Sequence, residues 1–232
     1  MKKVTWVSGI VALAMVAGAI WLLAARGRSA DAQLRAQPVY QVVRRHEPEV
    51  YAQVLERYQA SLDGRLSTAE FTSFANDAIS QAATGRLGRA PADAQLALVR
   101  DMTANLKLLR ARPDDACFRY LYPEIAGGAD VAATLPADAQ AHTLALAAEV
   151  IRTSAETPAA PPSRERAAQA LAPVVDAVYA QFGADTQIMA HAREPGVDRA
   201  KVCDIAIALY DRMLALPPAE ASLVLSAVAD PG

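Results

Sequence analysis

The chain has 232 residues, 53% of them hydrophobic, with 23 basic and 25 acidic side chains and a formal net charge of −2. That length allows one sizeable domain or two small ones and excludes a peptide-sized scaffold. Setting Lys2 and Lys3 aside leaves 21 basic against 25 acidic groups, about −4, which excludes the basic footprint a nucleic-acid partner demands.

Residues 4–25 (VTWVSGIVALAMVAGAIWLLAA) run for 22 positions without a charge. A helix of that length crosses the roughly 30 Å hydrocarbon core of a bilayer. Trp6 and Trp21, the two tryptophans, sit near its ends as interfacial anchors would. Lys2 and Lys3 precede the run and Arg26 and Arg28 follow it, so the charge bias that sets orientation is narrow. A short leading tail most simply stays in the cytoplasm while the long remainder is exported. The alternative is a cleaved signal peptide with a small-residue site at Ala30-Asp31-Ala32. Its apolar region would be shorter, about 7 to 15 residues. The expected organisation is a transmembrane anchor over 1–28, a polar stalk over 29–37 and a soluble helical domain over 38–232.

Alanine, the strongest helix former, occupies 53 positions, and no stretch alternates as a strand does. The fold class expected is all-α, an irregular bundle of about seven to nine helices. Pro38 and Pro48 each suit a first helical turn. Tyr51, Leu55, Tyr58 and Leu62 then make one apolar face. Ser67 and Glu70 have the spacing of a capping box. Phe71, Phe74, Ala78 and Ala82 follow as a buried face. A helix opens at Pro91 with Val99, Met102, Leu106 and Leu109 on one side. Residues 114–123 (DDACFRYLYP) form a short helix. Another starts at Pro136. Residues 157–163 (TPAAPPS) are the clearest linker and a possible subdivision of the domain.

Ser163 then caps a helix with Leu171, Val175, Val178 and Phe182 in line, and Pro173 inside it predicts a kink. Asp198 caps the next helix, over 199–216, with two apolar stripes. One is Val202, Ile205, Leu209 and Met213; the other is Cys203, Ile207, Tyr210 and Leu214. Two stripes mark the buried centre of a bundle. Pro-Ala-acid-Ala recurs at Pro91, Pro136 and Pro218, which suits a common helix start more than a true repeat.

Residues 63–71 (DGRLSTAEF) resemble the second half of an EF-hand calcium loop, with Gly64 at the sharp turn and Glu70 as the last chelator. The resemblance covers about a dozen residues. Where the family places carboxylates this chain has Gln59 and Ser61, leaving Asp63 and Glu70 as charged ligands. A helix end, a glycine turn and a capping box account for the same letters. His46 in RRHEPE reads as a solvated helix end. His142 and His191 have no second ligand at metal-binding spacing. No nucleophile elbow, phosphate loop or dinucleotide fingerprint occurs. No catalytic residue, metal or cofactor is therefore expected.

Cys117 and Cys203 are the two cysteines, both on segments expected to be buried. An exported domain would oxidise them to a disulfide across the linker; free buried thiols are the alternative. Phe118, Tyr120 and Tyr122 form the densest aromatic cluster and are the candidate contact surface. The function expected is protein–protein interaction in a bacterial envelope, as an inhibitor, immunity protein or assembly factor. The protein would be anchored single-pass in the inner membrane with its C-terminal domain in the periplasm. The alternatives are a membrane-anchored enzyme whose site is scattered in sequence, and a degenerate EF-hand-like module.

Overall fold

The computed structural model describes residues 29–122, 125, 134–160 and 162–229. The expected anchor, residues 1–28, lies outside the described residues. Among the described residues no helix is long and apolar enough to cross a membrane.

The fold is all-α. The described residues hold ten α-helices and two 3-10 segments, with no strand. They are α1 (Ala30–Arg35), α2 (Pro38–His46), α3 (Pro48–Leu62), α4 (Thr68–Arg86), a 3-10 turn (Leu87–Arg89), α5 (Ala92–Arg110), α6 (Ala116–Leu121) and α7 (Ala137–Glu156). After the linker come α8 (Arg164–Phe182), a longer 3-10 segment (Gly183–His191), α9 (Arg199–Leu214) and α10 (Pro218–Ala229).

Helix starts follow side-chain chemistry. Ser67 Oγ accepts from the Glu70 N–H at 3.2 Å, and the Glu70 carboxylate accepts from the Ser67 N–H at 2.8 Å, completing the capping box. Asp198 accepts from the Lys201 N–H at 3.0 Å and starts α9. The recurring Pro-Ala-Asp-Ala segment carries a further device. Gln95 donates to the Ala90 carbonyl at 2.9 Å, and Gln140 donates to the Leu135 carbonyl at 2.7 Å. Each glutamine reaches five residues back and ties its helix to the chain entering it.

Three cores share α5. The first joins α1 to α4 with α7 through Leu34, Val43, Val54, Ile79 and Ile151. The second joins the end of α5 to α6 and α9 through Leu106, Leu109, Cys117, Phe118 and Cys203. The third joins α5 to α8, α9 and α10 through Leu96, Val99, Val174, Met213 and Val224. The bundle's centre is therefore α5, with eight buried residues, rather than α9, with five. α9 packs on α5, α6, α8 and α10, which is why both of its stripes are apolar.

Four expectations change. Residues 29–37, read as a polar stalk, instead contain α1, which docks back on α3. Leu34 is 1% exposed, Tyr51 donates to Asp31 at 2.7 Å, and Tyr58 donates to Gln33 at 2.9 Å. On α3 the buried line runs through Tyr51 and Val54, leaving Leu62 at the surface. On α4 it is Phe71, Ala75, Ile79 and Ala83, one position off the expected register at Ala75, Ile79 and Ala83. The linker over 157–163 is tied down, since the Ala159 N–H donates to the Arg89 carbonyl at 2.8 Å. The helices after it share the third core with α5.

Candidate functional site

Cys117 on α6 and Cys203 on α9 are both buried, and their sulfur atoms lie at disulfide distance with the Cα atoms 6.3 Å apart. That separation falls within the span a disulfide bridges. Leu106, Leu109, Ala116 and Val202 close around them.

The aromatic cluster stands beside the cysteines and faces mainly inward. Phe118 is 1% exposed, so it is core rather than contact surface. Its ring lies 5.0 Å from that of Tyr122, and the Arg199 guanidinium covers it at 5.0 Å. Arg199 is in turn held by Asp115 at 2.7 Å. Tyr120 and Tyr122 are half-buried. Burial, then the negative charge of Asp101, pushes the Tyr120 hydroxyl up to about 12. Tyr120 therefore stays neutral at physiological pH. Of the three expected contact residues, Tyr120 and Tyr122 keep part of their surface in solvent.

The calcium-loop resemblance resolves into helix-end chemistry. Gly64 takes φ +73°, the Gly64 N–H donates to the Ser61 carbonyl at 3.1 Å, and the Arg65 N–H donates to the Ala60 carbonyl at 2.9 Å. That is the glycine-capped close of α3. The Glu70 carboxylate is spent on Ser67, whose hydrogen bonds hold it below the usual carboxylate range. Asp63 pairs with Arg65 at 2.9 Å. Among the described residues no group of three or more His, Cys, Asp or Glu side chains is arranged to hold a metal.

The histidines divide. The His46 side chain is only 12% exposed and faces Glu156 at 3.6 Å, so it is a half-buried helix end rather than a solvated one. His191 is exposed and pairs with Glu194 at 2.6 Å. His142 belongs to a polar cluster that sequence spacing gave no sign of. Asp101 and Asn105 on α5 meet His142 and Thr143 on α7 across 38 to 42 residues of chain. Thr143 donates to Asp101 at 2.5 Å, Asn105 donates to Thr143 at 3.0 Å, and His142 stands 3.9 Å from the other Asp101 oxygen. An acid beside a histidine is the grouping the enzyme reading requires. Here one Asp101 oxygen is saturated by Thr143 and Asn105, and His142 is 64% exposed. The arrangement pins α5 to α7.

Two surface features were missed. On α8 the buried line is Ala167, Val174 and Val178. Val175, expected in line with Leu171, Val178 and Phe182, is 48% exposed, and Tyr179, one turn on, is 56% exposed. Ala168 and Ala172 extend that outer face. On α1 and α2, Arg35, Gln41, Arg44 and Arg45 line an open concavity of about 560 Å³. No family model, curated protein or solved structure matches the chain.

Proposed function

We propose that this chain is a single-pass bacterial inner-membrane protein whose exported helical domain works by binding another envelope protein, as an inhibitor or assembly factor. The outer face of α8 is its contact surface. The apolar run over 4–25 supports the tether. The cysteine pair supports export, because an oxidising compartment makes and keeps such a bond.

The observation that carries the reading is the pair Val175 and Tyr179. A single exposed apolar residue needs no explanation. These two lie one turn apart on a ridge that Ala168 and Ala172 continue, and Tyr179 presents a large amphipathic ring of the kind that anchors interfaces. Both side chains stand on a helix whose adjoining face, Val174 and Val178, is locked into the core, so they are displayed rigidly.

A photo-crosslinking residue at Tyr179, tested in intact cells, should give one discrete adduct. The same residue at Leu62, equally exposed on α3, should not, and Val175→Asp should erase the adduct. Equal adducts from both positions, or none from Tyr179, would overturn the assignment of α8.

A further inference from the structure

Charge is distributed unevenly along this chain. Residues 26–45 hold five arginines, Arg26, Arg28, Arg35, Arg44 and Arg45, against one acid, Asp31, for a net +4. Residues 46–232 hold 16 basic and 24 acidic groups, a net −8. The fold keeps part of that basic segment together: Arg35 from α1 and Arg44 and Arg45 from α2 border the same open concavity. Gln41 closes the angle between the helices by donating to the Arg35 carbonyl at 2.8 Å.

Little acid is present to neutralise them. Asp31 pairs with Arg35 at 2.7 Å and also accepts from Tyr51. Arg45 is three-quarters exposed and reaches Glu156 only at 3.9 Å. Arg44 is exposed and makes no ion pair within 4.0 Å among the described residues. The apolar run ends at Ala25 and α1 begins at Ala30, so at most about 18 Å of extended chain separates them. A helix spanning the bilayer would therefore deliver this basic face to the headgroup layer.

We infer that the Arg35, Arg44 and Arg45 face docks onto anionic lipid headgroups and seats the domain against the bilayer with α1 and α2 at the surface. The inference rests on the tether proposed above. Guanidinium groups take phosphate diesters with paired hydrogen bonds. The −8 remainder is repelled by the same surface, so the two charges together select one orientation. In that orientation the tether is short and the docked state is favoured by proximity.

The test uses the full chain in vesicles of phosphatidylcholine alone or with phosphatidylglycerol. A fluorophore is attached through Ala36→Cys, exposed beside Arg35 and outside the concavity's lining, and quenching by spin-labelled lipid is read. Carbonate-resistant incorporation into both vesicle types reads the tether; quenching reads the docking face, so the two fail separately. Quenching should require phosphatidylglycerol and fall in high salt. It should survive Arg44→Lys with Arg45→Lys. With Arg44→Ser and Arg45→Ser the docked-to-free ratio should drop by roughly fivefold per arginine. Equal quenching in both lipids, or no change in the serine variant, would overturn the inference. So would release by inorganic phosphate beyond that of chloride at matched ionic strength, which would mark a free-phosphate site. If the chain stays soluble, the tether is wrong. Phosphatidylglycerol-dependent flotation of that soluble chain, lost in the serine variant, then decides the docking face.

Discussion

Around Val43, Val54, Ile79 and Ile151, each fully buried, the first core closes by packing alone, with six helices contributing and no covalent link. Around Cys117 and Cys203 the second core has nine buried residues, drawn from two helix ends, a six-residue helix and parts of connecting segments. Large aliphatic side chains on long helices remove enough surface from water to hold the first group. The second group is smaller and assembled from distant sequence, so its loop-closure cost is greater, and a bond between α6 and α9 offsets that cost. The contrast shows where this chain is sensitive to thiol chemistry: the first core contains no cysteine and the second holds both.

The largest expected effect comes from breaking the second core alone. The cysteines are 86 residues apart, and chain entropy for such a loop sets an upper figure of about 4 to 5 kcal/mol. Cys203→Ser, or reduction, should lower the thermal midpoint clearly and direct proteolysis to the 157–163 linker, read by melting curves and by mass analysis of the fragments.

The matching cut in the first core is Ile79→Ala, which empties a fully buried site on α4 and should cost about 3 kcal/mol. Urea unfolding should show the same loss with and without reductant. A loss that depends on reductant would mean the two cores are not separate.

At the seam, Gln95 is buried, donates to the Leu87 and Ala90 carbonyls and accepts from Ser222 on α10. Gln95→Ala strands those partners and should cost about 1 to 3 kcal/mol. Since Gln95 joins the first core's turn to α10, the variant should also weaken hydrogen-exchange protection on both sides of the seam.

The smallest effect is at the start of α4, where Ser67→Ala should cost about 1 kcal/mol. Its partner Glu70 has a lowered folded pKa, so its contribution is complete above the ordinary carboxylate value near 4.5 and is lost as the pH falls through the folded value. Urea midpoints of the parent and of Glu70→Gln should converge as the solution is acidified.

Local chemistry was legible in the sequence. The capping box at Ser67 and Glu70, the caps at Ser163 and Asp198 and the proline starts depend on residues within one turn of each other. Both cysteines fell on buried segments as expected, since their neighbours are strongly apolar. Faces were less legible. Half of the buried line on α4 is alanine, which marks a face weakly, and Val174 and Val175 are chemically alike yet only the first meets a partner helix. The Asp101–Thr143 cluster and the convergence of Arg35 with Arg44 and Arg45 depend on helix pairing that no local pattern encodes. The resemblance to a calcium loop arose because a glycine-capped helix end followed by a capping box uses the same letters in the same order.

The central claim, an exported domain whose second half is closed by Cys117 and Cys203, meets its most direct test in the thiol state of the chain inside intact cells. Alkylation before lysis, followed by mass spectrometry without reduction, should find the two cysteine peptides joined and neither thiol modified. Two alkylated cysteines in the native chain would contradict the bond and, with it, the export of the domain.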